Sequence, residues 1–242
     1  MFFTFTDFGA EGPYLGQVHG VLASMAPAMP VIHLVSNAPR FDPWRSSYLL
    51  AALTPFLPEK AIVLAVVDPG VGGEREGVCL RADGRFFIGP DNGLLDGVAQ
   101  NAQHSEWRII DWRPQKMSST FHGRDLFAPM AARIAKSDFD GCSRHWPGPV
   151  IDKRPLDLYE VIYEDTYGNA MTGIRFQAFM AGQSILWEGN WVHQARTFSD
   201  VPADAVFWYE NSLGLIEIAR NGGPLRAGST PCIGQSIRFS GH

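Results

Sequence analysis

The chain reads as an α/β protein: an N-terminal α/β domain with a mostly parallel sheet, followed by a smaller C-terminal domain of β-barrel or sandwich type. Three observations predict this. The apolar, β-branched run Ala61–Val67 stops abruptly at Asp68-Pro69-Gly70, as a buried strand of a parallel sheet does. Strand-like and helix-like spacings alternate through the first 145 residues or so, the pattern of a parallel sheet. Beyond that point short apolar stretches are punctuated by Gly, Pro and Asn, which suits a small barrel or sandwich.

In chain order, Phe2–Thr6 predicts a first strand ending at Asp7-Phe8-Gly9. Tyr14–Met25 places Val18, Val21, Leu22 and Met25 on one helical face, and Val31–Val35 predicts a second strand. Pro43–Phe56 predicts a helix closed near Pro58, followed by the Ala61 strand and a hairpin around Asp83-Gly84. Ile88–Gly93 reads as a turn leading into a helix at Leu94–Ala99, and Phe127–Ala135 as another helix. Arg144–Pro149 is turn-rich and reads as a linker, so the domains are expected at residues 1–146 and 152–242. The second domain is expected to hold strands at Asp157–Glu164, Ile174–Phe179, Ser184–Trp187, Ala205–Tyr209, Leu215–Ala219 and Ser236–Phe239.

With 242 residues, 45% hydrophobic and 19% charged, the chain is long enough and apolar enough to bury a substantial core. Its net charge of -5 and scattered basic residues argue against nucleic acid as a partner. Cys79, Cys142 and Cys232 are odd in number and far apart, without CxxC spacing. They suit neither a disulfide framework nor a zinc site and point to a reduced, cytoplasmic setting. Asp7 interrupts the apolar N-terminus and no basic stretch precedes it, so no signal peptide is expected, and no apolar run reaches membrane-spanning length.

Three strings carry chemistry. Thr6-Asp7-Phe8-Gly9 sets a carboxylate just past a strand, where it can accept from a ribose diol or cap the following turn. Asp68 through Arg75 is a glycine-rich loop at the C-terminal lip of a buried strand, the edge at which α/β proteins bind ligands. It lacks the Gly-Lys-Ser/Thr of a phosphate-binding loop. Ser119–Asp125 offers His122 between Phe121 and Gly123. Singly, Asp68 reads as a loop cap, Arg75 as a surface cation, His122 as a structural histidine and Arg124–Asp125 as a local ion pair. Together an acid, a guanidinium and an imidazole are able to hold and deprotonate a water. The remaining histidines show no metal-ligand spacing with His122, so no metal is expected.

Seven stretches in order resemble one family: TDFG at Thr6–Gly9, YLGQVHG at Tyr14–Gly20, VDPGVGGER at Val67–Arg75, GPDNGLL at Gly89–Leu95, STFHGRDLFAP at Ser119–Pro129, DTYGNAMT at Asp165–Thr172 and NSLGLIEIARNGG at Asn211–Gly223. The chain resembles the S-adenosyl-L-methionine (SAM) hydroxide adenosyltransferases, adenosine-forming SAM hydrolases related to the SAM-dependent fluorinase and chlorinase. The resemblance implies hydrolysis of SAM to adenosine and L-methionine, with no cofactor, in a homotrimer whose ligand lies between the N-domain of one subunit and the C-domain of the next.

It also implies roles by position. Asp68, Arg75 and His122 correspond to the hydrolytic triad, which the halogenases lack. Asp7 would bind the ribose hydroxyls, Trp44 would pack near the ribose and C5′, and Phe121 and Gly123 would line the reacting carbon. Asp165 and Ser212 would hold the amino-acid end, with Asn211 beside them. Asn169 and Gly222 would read the adenine edge, Tyr167 would pack on the base, and Arg220 would stand near it. Leu213 replaces a halogenase Arg, so the carboxylate must be held differently. A SAM-dependent halogenase and a non-catalytic SAM or adenosine sensor are the rival readings, and the intact triad weighs against both. A third rival is another α/β hydrolase using Asp and His on a different substrate, and the lack of a GxSxG elbow weighs against its commonest version.

Overall fold

The computed structural model describes residues 1–149, 154–226 and 232–240. The chain divides into two compact units, Met1–Arg154 and Pro155–His242. The first unit is built on a seven-stranded sheet. β1 (Phe2–Thr6), β2 (Val31–Val35), β3 (Ile62–Val66) and β5 (Arg85–Pro90) run parallel in the order β2-β1-β3-β5. β4 (Gly77–Ala82), β6 (Ser105–Ile110) and β7 (Arg144–Trp146) continue it with antiparallel pairings, so β1, β2, β3, β5 and β6 point one way and β4 and β7 the other.

β1 and β3 are buried at every residue, as central strands covered on both faces must be. The β1 threonines are buried too, and Thr4 Oγ1 lies 3.0 Å from His19 Nε2. α1 (Pro13–Met25) and α4 (Ala128–Ala135) bring Val18, Leu22, Ala131 and Ile134 to the core around Phe2, Leu64 and Ile88. α2 (Pro43–Leu53) starts with Pro43 after the cap Asp42, whose Oδ1 accepts from Arg45 N at 2.9 Å. It meets α3 (Asp96–Asn101) where Gly97 N donates to Ser47 Oγ at 2.9 Å. Cys79, Cys142 and Cys232 are buried free thiols.

Several boundaries differ from expectation for identifiable reasons. The α2 pattern stops at Leu53 and ends in a 3₁₀ turn at Thr54–Phe56, because Pro55 cannot donate to the helix ladder. The helix expected at Leu94–Ala99 begins two residues later. The one expected from Phe127 is preceded by a π-helical turn, Gly123–Phe127. Arg144–Trp146, expected as linker, is edge strand β7, held to β6 by the ladder and by Trp107 against Trp146 at 5.8 Å. β6 itself is not among the expected strands.

In the second unit, β12 (Val206–Glu210), β13 (Leu215–Arg220), β9 (Ala170–Arg175) and β8 (Leu158–Glu164) form an antiparallel sheet in that order. β11 (Asn190–Val192), β10 (Ile185–Trp187) and β14 (Arg238–Phe239) form another. Single bridges join Glu160 to Ser236 and Gln194 to Trp208, linking the two sheets at both edges into a small closed barrel. Its interior holds Val161, Ile174, Trp208, Ile216 and Ile218. The strand expected at Ile174–Phe179 lies earlier, at Ala170–Arg175, and Ala178–Met180 is a 3₁₀ turn.

The close approach of β5 to β3 depends on Gly89, where a Cβ would lie 2.1 Å from the Ala65 carbonyl oxygen. Gly89→Ala must push β5 away from β3 and is expected to cost about 1–3 kcal/mol, read as a lower urea midpoint at unchanged m-value.

Candidate active site

Asp68 stands just beyond the C-terminal end of β3. The strand end is pinned by Asn92, whose Nδ2 donates to Val67 O at 2.9 Å. From Asp68 the chain turns through Gly72, which has φ +82 and whose absent Cβ would lie 2.4 Å from Ser119 O. Only glycine permits both that conformation and that approach. The contact brings the Asp68–Arg75 loop against the segment carrying His122. That segment is stapled by Asp125, which accepts from Ser118 N at 2.8 Å and pairs with Arg124.

Arg75 ties these pieces together. Its Nε donates to Asp68 Oδ1 at 3.0 Å, its Nη2 to Asp68 Oδ2, and Nη2 also lies 3.0 Å from His122 Nδ1. Its Cζ sits 5.2 Å from the centre of the Phe127 ring, which the π turn supplies. The side chains of Arg75 and Asp68 are only 12% and 5% exposed. A guanidinium has no acceptor, so Nδ1 of His122 must accept and the imidazole proton must sit on Nε2. Burial first, then the charge of Arg75, holds the His122 pKa below its usual value, keeping the ring neutral.

Asp68, His122, Phe121, Gly123 and Asp7 line one cavity of about 670 Å³ within the first unit. Arg75 lies behind it, outside the lining. Phe8, Tyr14 and Phe121 form an aromatic wall, with ring centres 5.2 Å apart for Tyr14–Phe121 and 5.8 Å for Phe8–Phe121. Asp7 accepts from Phe41 N at 3.0 Å through Oδ2, and burial raises its pKa. Trp44 is not among the lining residues. The Arg154 guanidinium covers its ring at 4.1 Å. The aromatic that reaches the cavity is Phe41, 76% exposed and in a left-handed conformation with φ 58. Nothing in the local sequence marks Phe41, because Asp42-Pro43 reads only as a helix start.

A second cavity, of about 810 Å³, lies within the second unit and gathers Asp165, Tyr167, Asn169, Asn211, Ser212, Arg220 and Gly222. Asp165 Oδ1 accepts from Tyr167 N and Asn169 N, both at 2.9 Å, and Oδ2 from Asn169 Nδ2 at 3.0 Å. This turn presents Tyr167, 77% exposed. Asn211 is committed to its own turn: Oδ1 accepts from Leu213 N at 2.9 Å and Leu215 N at 3.0 Å. Arg220 Nη2 donates to Leu225 O at 3.1 Å. Sequence reasoning missed Tyr209, Phe198 and Glu217 in this lining. A lone acid between Ile216 and Ile218 was the available signal for Glu217.

Chemically, the first cavity offers a carboxylate with lone pairs left over from Arg75 and a neutral imidazole that donates from Nε2. A water between them would give its proton to Asp68 and accept from His122, leaving a lone pair free. Among the described residues no group of three or more His, Cys, Asp or Glu could hold a metal ion, and no helix is long and apolar enough to cross a membrane.

A two-unit α/β-plus-barrel protein with an acid, a guanidinium and an imidazole joined at the sheet's edge is the class that fold and site define. Family models described as the SAM hydroxide adenosyltransferase N-terminal and C-terminal domains match residues 2–141 and 159–230, and the chain belongs to this family. It is 38% identical over 240 residues to the (R)-S-adenosyl-L-methionine hydrolase of Thermus thermophilus, covering 91% of this chain and 92% of the relative. It is 36% identical to the enzyme of the same name from Salinispora arenicola, covering 90% and 89%. Among solved structures it is similar to an uncharacterized conserved protein from Thermotoga maritima, with TM-score 0.87 and 26% identity over 99% of both chains. A conserved hypothetical protein from Thermus thermophilus gives TM-score 0.77 and 34% identity over 98% of both.

The depressed pKa of His122 has a thermodynamic consequence. The folded chain binds this proton more weakly than the unfolded chain. The contribution is therefore fully present above the ordinary value of 6.5 and is lost as pH falls through the lower folded value. His122→Gln keeps an acceptor for Arg75 but cannot titrate. Its urea midpoint is expected to fall less steeply than wild type as pH drops below 6.5.

Proposed function

We propose that this chain hydrolyses SAM to adenosine and L-methionine by attack of water at C5′, with Asp68 as proton acceptor. The observation that carries this is the Asp68–Arg75–His122 junction at the wall of the first cavity. The water oxygen bonds to C5′ as the C5′–S bond breaks. The bonding pair leaves with sulfur, converting the sulfonium to the neutral thioether of methionine. The water proton passes to Asp68 and on to solvent. Because the sulfonium is already a good leaving group, the departing sulfur needs no acid and the reaction needs no cofactor. Arg75 holds Asp68 in place, and the His122 Nε2–H fixes the water so that its free lone pair faces the carbon.

Asp7, with Oδ1 not used by Phe41, takes the ribose hydroxyls, and Phe121 and Gly123 enclose the reacting carbon. In the second cavity Ser212 and Asp165 take the amino-acid end, Asn169 and the Gly222 backbone read adenine, Tyr167 packs on the base, and Arg220 stands beside it. The carboxylate of Asp165 suits the ammonium of the substrate. Each cavity holds only part of this set, and family resemblance supports a homotrimer in which the first unit of one subunit serves with the second unit of the next. The setting proposed is the cytoplasm.

Incubation of the purified protein with SAM, with and without chloride, followed by chromatography, tests the reading. Adenosine and methionine are expected in equal amounts in both conditions. A chloride-dependent 5′-chloro-5′-deoxyadenosine peak would show a halogenase instead, and tight SAM binding without turnover a sensor. Asp68→Ala is expected to lower kcat about 10²- to 10⁴-fold with SAM affinity largely kept. Phe41→Gly relieves a left-handed aromatic and removes a cavity wall. The expected result is an unchanged or higher Tm together with a raised KM for SAM, from paired melting and kinetic measurements.

A further inference from the structure

We infer that Glu217 is a positioning residue of the second cavity, acting through Asn211 and Tyr209 on the turn that carries Ser212. The inference rests on the proposed SAM reaction.

Glu217 sits mid-strand on β13 with its neighbours Ile216 and Ile218 in the barrel core. Strand alternation therefore turns Glu217 to the outer face, yet it is only 4% exposed. In register it faces Tyr209 on β12 and Met171 on β9, and all three line the cavity. The row Met171–Glu217–Tyr209 is thus the floor of the cavity, running across three strands. Glu217 Oε2 accepts from Asn211 Nδ2 at 2.7 Å, and Oε1 accepts from the Tyr209 hydroxyl. Asn211 in turn closes the Leu213–Leu215 turn through its Oδ1.

The chain of bonds has one polarity. Because Asn211 Oδ1 is taken by two backbone N–H groups, its amide must point Nδ2 at position 217, which must accept there. Because Tyr209 also donates, both Glu217 oxygens must accept. A carboxylate satisfies this as it stands, whereas an amide of the same shape does so only if the Tyr209 hydroxyl reverses from donor to acceptor. Burial first raises the Glu217 pKa, and its two donors hold the charged form. No ion pair to Glu217 is found among the described residues, so its work is done through these hydrogen bonds.

The test is a pair of variants assayed for SAM turnover beside wild type. Glu217→Gln either sets an NH₂ against the Asn211 NH₂ or forces the Tyr209 hydroxyl to accept and turn its proton out of the bond. KM for SAM is expected to rise about tenfold, with kcat changing much less. Adding Asn211→Asp reverses the bond. The amide nitrogen introduced at position 217 can donate to the new carboxylate at position 211, which still accepts from Leu213 and Leu215. The double variant is expected to recover most of the lost affinity at the same net charge. Should Glu217→Gln fail to fold alone, the double variant carries the test. An unchanged KM in Glu217→Gln, or a double variant that stays weak or unfolded, overturns the inference. The two readings separate in the wild-type assay. Absent turnover overturns the proposed function and this inference with it, whereas normal wild-type turnover beside either negative result overturns the inference alone.

Discussion

Arg75 is the group on which the first cavity depends. One guanidinium grips both oxygens of Asp68, donates to His122 and lies against the Phe127 ring. Two distant chain segments are thereby set in one geometry: the loop that leaves β3 and the turn from His122 to Phe127. Losing one partner of a buried ion pair strands the other in a low dielectric at about 3–5 kcal/mol, so the arrangement is all-or-none. The same contacts choose the protonation states. The guanidinium makes Nδ1 of His122 an acceptor and leaves the imidazole proton on Nε2.

The two units build their cavities by different means. In the first, parallel strands end together and their loops converge on the sheet's edge, where Asp7 follows β1 and Asp68 follows β3. In the second, the cavity lies on the outer face of a barrel sheet, and its floor is a cross-strand row rather than a set of loop ends. The first cavity gathers a carboxylate and an imidazole, joined by the guanidinium behind them, at loop ends, and the second spreads its polar groups over a sheet face. That division follows from geometry: loop ends can aim several groups at one atom, while a sheet face offers a broad surface.

Both cavities contain features that a purely stability-driven sequence would avoid. Phe41 holds a left-handed backbone while exposing its ring, at a cost of about 1–2 kcal/mol. Glu217 buries a carboxylate with no ion-pair partner among the described residues, and His122 is held neutral against its ordinary titration. Such local conflicts with folding are expected where function is built, and these three lie on the linings of the two cavities, although left-handed Lys60 and Ser137 do not.

The amino-acid sequence by itself determined the α/β class, the order of the main strands and helices of the first unit, and the family. These depend on local periodicity and on contiguous strings such as Val67–Arg75 and Ser119–Asp125, which need no knowledge of what lies beside them. Pairing across distance was decided only in three dimensions. Arg144–Trp146 reads as linker until Trp107 is found opposite Trp146, and the turn-rich Pro147-Gly148-Pro149 masks it. Phe41 lines the cavity and Trp44 does not, and Arg154, 110 residues from Trp44, stacks on the indole. The polarity of His122 and of Asn211 follows from which donors stand next to them. Residue type states what a side chain can donate or accept, and only its neighbours in space determine which of those bonds it makes.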